Sequence, residues 1–132
     1  MVPCHADRVL SRIDVGDIEG ARDALARLSA FRQNFKEGSR NRASADMQVD
    51  DYAVLVRPPA ERDSADAARM RERMTLADCH QQRAIWQLYL AEYELLQGSR
   101  DEAARLANAP ELDPLTPRME RLRDEVLAGL EE

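Results

Sequence analysis

Every cysteine and histidine of the chain falls in one of two dipeptides: Cys4-His5 in "PCHAD" and Cys79-His80 in "LADCHQQ". Thiol and imidazole together are zinc-ligand chemistry, and two cysteines are also redox chemistry. Zinc sites usually place the members of a ligand pair roughly two to five residues apart. Here they are adjacent, and neighbours on a helix point about 100° apart. Four ligands converge on one ion only where the backbone is irregular, after Pro3 for the first pair and near an expected cap at Thr75 for the second. A Cys4–Cys79 disulfide instead requires an oxidising setting. The reading taken here is that the residues act independently. Cys79 packs as a small hydrophobe, His80 lies on a helix face, and Cys4 and His5 lie near a chain end. In the opening turn of a helix, backbone donors and the dipole would favour a thiolate and disfavour a charged histidine. A metal- or redox-responsive regulator built on Cys4, His5, Cys79 and His80 is the alternative reading of function.

Other chemistry is hard to place. The sequence holds no Gly-x-x-x-x-Gly-Lys, Gly-x-Gly-x-x-Gly, Gly-x-Ser-x-Gly or His-Glu-x-x-His. The carboxylate pairs Asp50-Asp51 and Asp101-Glu102 sit where a loop or a helix start explains them. No enzyme, catalytic residue or cofactor is expected. A net charge of -6 and a pI near 5.0 argue against general nucleic-acid binding, which needs basic surface to neutralise phosphates. One stretch departs from this, "FRQNFKEGSRNR", with Arg32, Lys36, Arg40 and Arg42 among aromatic residues. It reads as a helix C-terminus whose cations suit the dipole, running into a solvated loop.

The elements that must position these residues are helical. Ala6, Val9, Leu10 and Ile13 recur at the spacing of one helix face. Gly16 provides a left-handed turn and Asp17 the next N-cap. Ile18, Ala21, Leu25, Leu28, Phe31 and Phe35 then continue at three- and four-residue steps up to Gly38-Ser39. So short a connection makes an antiparallel helical hairpin. Periodicity fails over 39–63, which reads as an irregular or flexible insertion. Its run "YAVLV" is β-prone, but one strand would have no partner, so no sheet is expected. Ser64 starts a helix, and Thr75-Leu76-Ala77-Asp78 matches a capping pattern that favours a break there. From Leu76 to Gln97 two apolar stripes appear: His80, Ala84, Leu88, Ala91 and Leu95, and Cys79, Trp86, Leu90 and Tyr93. A helix apolar on both sides is buried on both sides, so this is the expected central helix. Gly98-Ser99 breaks it, a short helix follows, and Thr116-Pro117 opens a last one carrying Met119, Leu122, Val126 and Leu130. The chain of 132 residues is thus expected to be one all-α domain of about five to six helices.

The turns "VGDIEGARDAL" and "QGSRDEAARLA" share a glycine, acidic residues and an alanine five positions after the glycine. This resembles the tetratricopeptide repeat (TPR), a helix–turn–helix unit. With Gly98 in the inter-helix turn, Leu90-Ala91 match the family's Leu-Gly/Ala pair of the first helix and Ala103 the small residue of the second. Trp86, Tyr93 and Pro114 lie one residue off, and Ala107 stands where a large aromatic is usual. Gly16, Ala21 and Leu25 match in the first hairpin, whose opening helix has Arg8 and Arg12 in the Leu and Tyr slots. The resemblance is to a degenerate, interrupted TPR-like protein, with a generic right-handed helical bundle as the other architecture. It implies an adaptor, chaperone or scaffold that binds a protein or peptide on a helical face, with Gln82, Arg83, Gln87 and Glu94 as partner-binding residues. "DDYAVLVRPP" is a second binding candidate, as an added strand or a groove filler. The mean hydropathy of -0.58, with no long apolar run or secretory-type leader, sets the expectation of a cytoplasmic protein without membrane contact. The oligomeric state stays open.

Overall fold

A computed structural model describes residues 8–77 and 79–132 of the chain. The described residues form an all-α structure of seven helices: α1 (Arg8–Asp14), α2 (Ile18–Phe31), α3 (Arg40–Val56), α4 (Ser64–Leu76), α5 (His80–Leu96), α6 (Arg100–Ala107) and α7 (Pro117–Leu130). The expected all-α class therefore stands. The described residues group into two compact units, one up to Arg57 and one from Pro58 onward.

In the first unit α1 and α2 form the expected hairpin. Gly16 is left-handed at φ 82°, and its N–H and that of Asp17 donate to the carbonyls of Ile13 and Arg12 at 3.0 and 2.8 Å. These bonds satisfy the last carbonyls of α1. The Asp17 carboxylate then accepts from the Gly20 N–H at 2.9 Å and caps α2. Val9, Leu10, Ile13 and Ala21 are buried in this unit, as are Ala45, Tyr52, Val54 and Leu55 of α3.

Helix α3 overturns the irregular segment expected over 39–63. The Ser39 hydroxyl caps it by accepting from the Arg42 N–H at 3.2 Å. Arg42 and Asp46 pair one turn apart, at 3.2 Å. Ala45, Tyr52 and Leu55 give the buried stripe, but small and polar neighbours hide its period in the sequence. The β-prone "YAVLV" is helical because burying Tyr52, Val54 and Leu55 outweighs weak intrinsic preferences. The helix ends where Pro58 forces Arg57 into an extended conformation at ψ 141°. The guanidinium of Arg22 donates to the freed carbonyl of Val56, at 3.0 Å from Nη2.

The second unit is organised round α5, which packs against α4, α6 and α7. Every residue from Ala84 to Ala91 is buried, with Tyr93, so both apolar stripes are used. The break between α4 and α5 is present, but its cap is not Thr75. That hydroxyl donates to the Arg71 carbonyl at 3.0 Å inside α4, Ala77 turns extended, and Cys79 is the N-cap of α5. Helix α4 likewise opens one residue before the expected Ser64 cap, through a reciprocal capping box of Asp63 and Asp66. Gly98 is left-handed at φ 84° between α5 and α6. The Thr116 cap and Pro117 open α7, whose Met119, Leu122 and Val126 are buried.

Candidate apolar groove and cationic end

The apolar surface of the first unit lies along the α1–α2 hairpin. A groove of about 1190 Å³ runs along the hairpin, with Val9 and Val15 on one side, Gly20, Ala24, Leu28 and Phe31 on the other, and Gln48 of α3 beside them. The α2 positions recur at three- and four-residue steps, so they line one face. Val15 and Phe31 leave 67% and 56% of their surface exposed, which is unusual for large apolar side chains bordering one groove. Arg12–Asp17 at 3.3 Å and Arg27–Asp23 at 3.1 Å form charged edges. A Cβ on Gly20 would fall 2.2 Å from the Asp17 carboxylate, so glycine keeps the cap intact and adds no side chain to the groove.

Beyond Phe31 the chain makes a 3-10 turn, Arg32–Asn34, and Phe35 meets Phe31 edge to face at 5.5 Å between ring centres. Cations gather here. Arg32 and Arg42 share the Asp46 carboxylate at 3.3 and 3.2 Å. Lys36 and Arg40 are exposed and form no ion pair with a described residue. The expected reason for these charges holds for Arg32, just past the end of α2, and fails for Arg40 and Arg42. Those two stand in the first turn of α3, which contains no acidic residue. There the positive end of the dipole repels cations. The sequence pattern places them after a helix because small and polar residues hide the period of α3, the helix they open.

The four partner-binding residues expected on α5 fare unequally. Gln87 is only 4% exposed, and its Nε2 donates to the Leu106 carbonyl at 2.9 Å, so it ties α5 to α6 and is not available to a partner. Glu94 accepts from Arg71 at 3.3 Å, and Arg71 also reaches Glu102 at 3.4 Å. Gln82 is half-buried and Arg83 exposed near the start of α5. The "DDYAVLVRPP" candidate is corrected too: its Tyr52, Val54 and Leu55 are core residues of α3, with no free strand to add to a partner.

Of the two Cys-His pairs, Cys4 and His5 lie outside the described residues. Cys79 is disulfide-bonded, so the free packed thiol expected there, and any thiolate at the start of α5, is corrected. The chain's other cysteine is Cys4. A disulfide sulfur is not the thiolate that zinc requires. His80 places Nε2 at 3.1 Å from the Pro114 carbonyl, a contact that holds its ring against the chain leading into α7.

One buried charged cluster escaped sequence reasoning. Arg62, with 1% of its side chain exposed, pairs with Glu92 at 2.8 Å and lies 5.0 Å over the Tyr89 ring. The Tyr89 hydroxyl is buried beside the Arg118 guanidinium. Burial pushes its pKa above the usual tyrosine value, against the opposing pull of the Arg118 and Arg62 charges. The contacts of this cluster join the segment before α4 to α5.

Among the described residues no helix is long and apolar enough to cross a membrane, and no group of three or more acidic, histidine or cysteine side chains is placed to hold a metal. Compared with known proteins, the chain matches no family, no curated protein and no solved structure. The groove was legible only in part. The apolar stripe of α2 is in the sequence, but the exposure of Val15 and Phe31 is visible only in the packed structure.

Proposed function

We infer that the protein is a protein-interaction module whose α1–α2 hairpin receives an apolar helical segment of a partner. The observation that carries this reading is the exposure of Val15 and Phe31 along one groove. Grooves between helices take amphipathic helices through anchors spaced at three and four residues, and exposed aromatic side chains are frequent anchors. The TPR-like reading belongs to the same proposal. It is supported by two glycine-turned hairpins, α1–α2 and α5–α6, whose Gly16 and Gly98 adopt matching left-handed angles of 82° and 84°. An adaptor, chaperone or scaffold role in the cytoplasm is the corresponding biological setting.

The test is a quantitative pull-down with the full chain and with Val15→Ser/Phe31→Ser, followed by titration of the purified pair. A groove partner binds the wild type and loses at least about tenfold in affinity with the variant, equivalent to about 1.4 kcal/mol. If the variant retains its partner while Gln82→Ala/Arg83→Glu loses it, the groove is the wrong surface and the start of α5 is the right one. The alternative is a metal- or redox-responsive regulator built on Cys4, His5, Cys79 and His80; the disulfide at Cys79, a bond that persists in oxidising compartments, supports its redox form and speaks against its zinc form. Thiol counting with and without reductant, beside native mass spectrometry in zinc, decides it. Unchanged partner affinity on reduction and no bound zinc would remove this alternative.

A further inference from the structure

The whole chain is acidic, with 25 carboxylate residues against 19 cations. Residues 23–46 reverse that balance, with Arg27, Arg32, Lys36, Arg40 and Arg42 against Asp23, Glu37 and Asp46. Asp46 serves two arginines and Arg27 has Asp23, which leaves Lys36 and Arg40 exposed and without an ion pair to a described residue, beside the exposed Glu37; the stretch keeps a surplus of two positive charges. The same stretch begins with the groove residues Arg27, Leu28 and Phe31. Two of its cations stand at the N-terminus of α3, where the dipole disfavours them. An anion beside them would be attracted by the side chains and by the helix end alike.

From this charge complementarity we propose that the partner segment is an acidic amphipathic helix, its apolar side seated in the α1–α2 groove and its carboxylates against Lys36, Arg40 and the first turn of α3. The proposal rests on the groove reading above and adds the charge of the occupant. Apolar contact supplies the affinity, while the cationic end sets the orientation and rejects basic helices, as interfacial charges commonly do.

The probe is a labelled synthetic peptide of about 18 residues, five helical turns, with leucine at three- and four-residue spacing and glutamate at the remaining positions. Its counterpart has lysine in place of glutamate, and a labelled single-stranded oligonucleotide represents a phosphate polyanion. Each is titrated against the full chain by fluorescence anisotropy at two salt concentrations. The glutamate peptide is expected to bind at least about tenfold tighter than the lysine peptide, a margin that salt narrows. Lys36→Glu/Arg40→Glu, at exposed positions and with an unchanged circular dichroism spectrum, abolishes that margin, while Phe31→Ser weakens both peptides. Equal binding of the two peptides, each weakened by Phe31→Ser, would overturn the acidic-partner proposal and leave the groove reading standing. Binding of neither peptide overturns the proposal, and binding of both unaffected by Phe31→Ser refutes the groove reading itself. Preference for the oligonucleotide over the glutamate peptide would also overturn the proposal and assign the cations to phosphate.

Discussion

The two units of the chain solve the same problem of burying amphipathic helices with very different completeness. Of the twelve largest fully buried side chains, nine lie in the unit from Pro58 onward and three, Ile13, Val54 and Leu55, in the unit before it. The second unit has a central helix surrounded by three others, so apolar residues on both of its sides find neighbours. In the first unit α1 and α3 pack against α2, and Val15, Phe31 and Met47 are exposed, two of them beside the groove; the second unit exposes Leu76 and Leu96, each the last residue of its helix. The difference teaches where to look for function. A filled core explains its own apolar residues, whereas an apolar side chain left beside a groove calls for another surface.

The sharpest way to break the comparison is to remove one apolar side chain from each unit. Leu88→Ala, at a fully buried position of α5, is expected to cost about 2–5 kcal/mol in denaturant unfolding. A loss below that range would mean the second unit is less tightly filled than its burial indicates. Glu92→Ala comes next. It takes one partner from the buried Arg62, and the expected loss is about 1.5–3 kcal/mol. Replacing both, as Arg62→Met/Glu92→Leu, should recover part of that loss, because the Arg62 charge is then no longer buried without Glu92.

Tyr89→Phe tests the same cluster through pH. Burial raises the folded-state pKa of Tyr89, so the unfolded chain gives up this proton first, near pH 10. The contribution of the neutral hydroxyl is fully present below that pH and falls as pH rises through the folded-state value. Near neutrality the variant should lose no more than about 1.5 kcal/mol, the scale of one hydrogen bond, to Arg118. It should hold its stability better in alkaline thermal melts; equal alkaline losses would show that Tyr89 does not titrate in this way.

Smaller effects sharpen the picture of the first unit. Arg40→Glu places an acid where the α3 dipole favours one and is expected to raise stability by about 0.3–1 kcal/mol, while weakening the glutamate peptide. A stabilised protein that binds less well would show that the cation is kept at the expense of the fold. Phe31→Ser should change unfolding free energy by no more than about 0.5 kcal/mol, because more than half of the side chain is already in solvent. A loss comparable to that of Leu88→Ala would make Phe31 a core residue and remove the contrast between the units.

Much of this architecture is written in the chain. The three- and four-residue stripes of α1, α2, α5 and α7, the turns at Gly16 and Gly98, and the caps at Asp17 and Thr116 all depend on neighbours within one or two helical turns. Local sequence settles such features because their hydrogen bonds close over a few residues. The sequence by itself also determined the all-α class and the two-sided burial of α5. Tertiary structure decided the rest. Helix α3 forms where local preference is weak and burial of Tyr52, Val54 and Leu55 is strong. Gln87 became a strut because the Leu106 carbonyl, distant in sequence, needed a donor. Arg62, Glu92 and Tyr89 meet only once the segment before α4 lies on α5. Exposure of Val15 and Phe31 was beyond any periodicity argument: a stripe tells which face seeks cover, and only packing tells whether another helix reaches it.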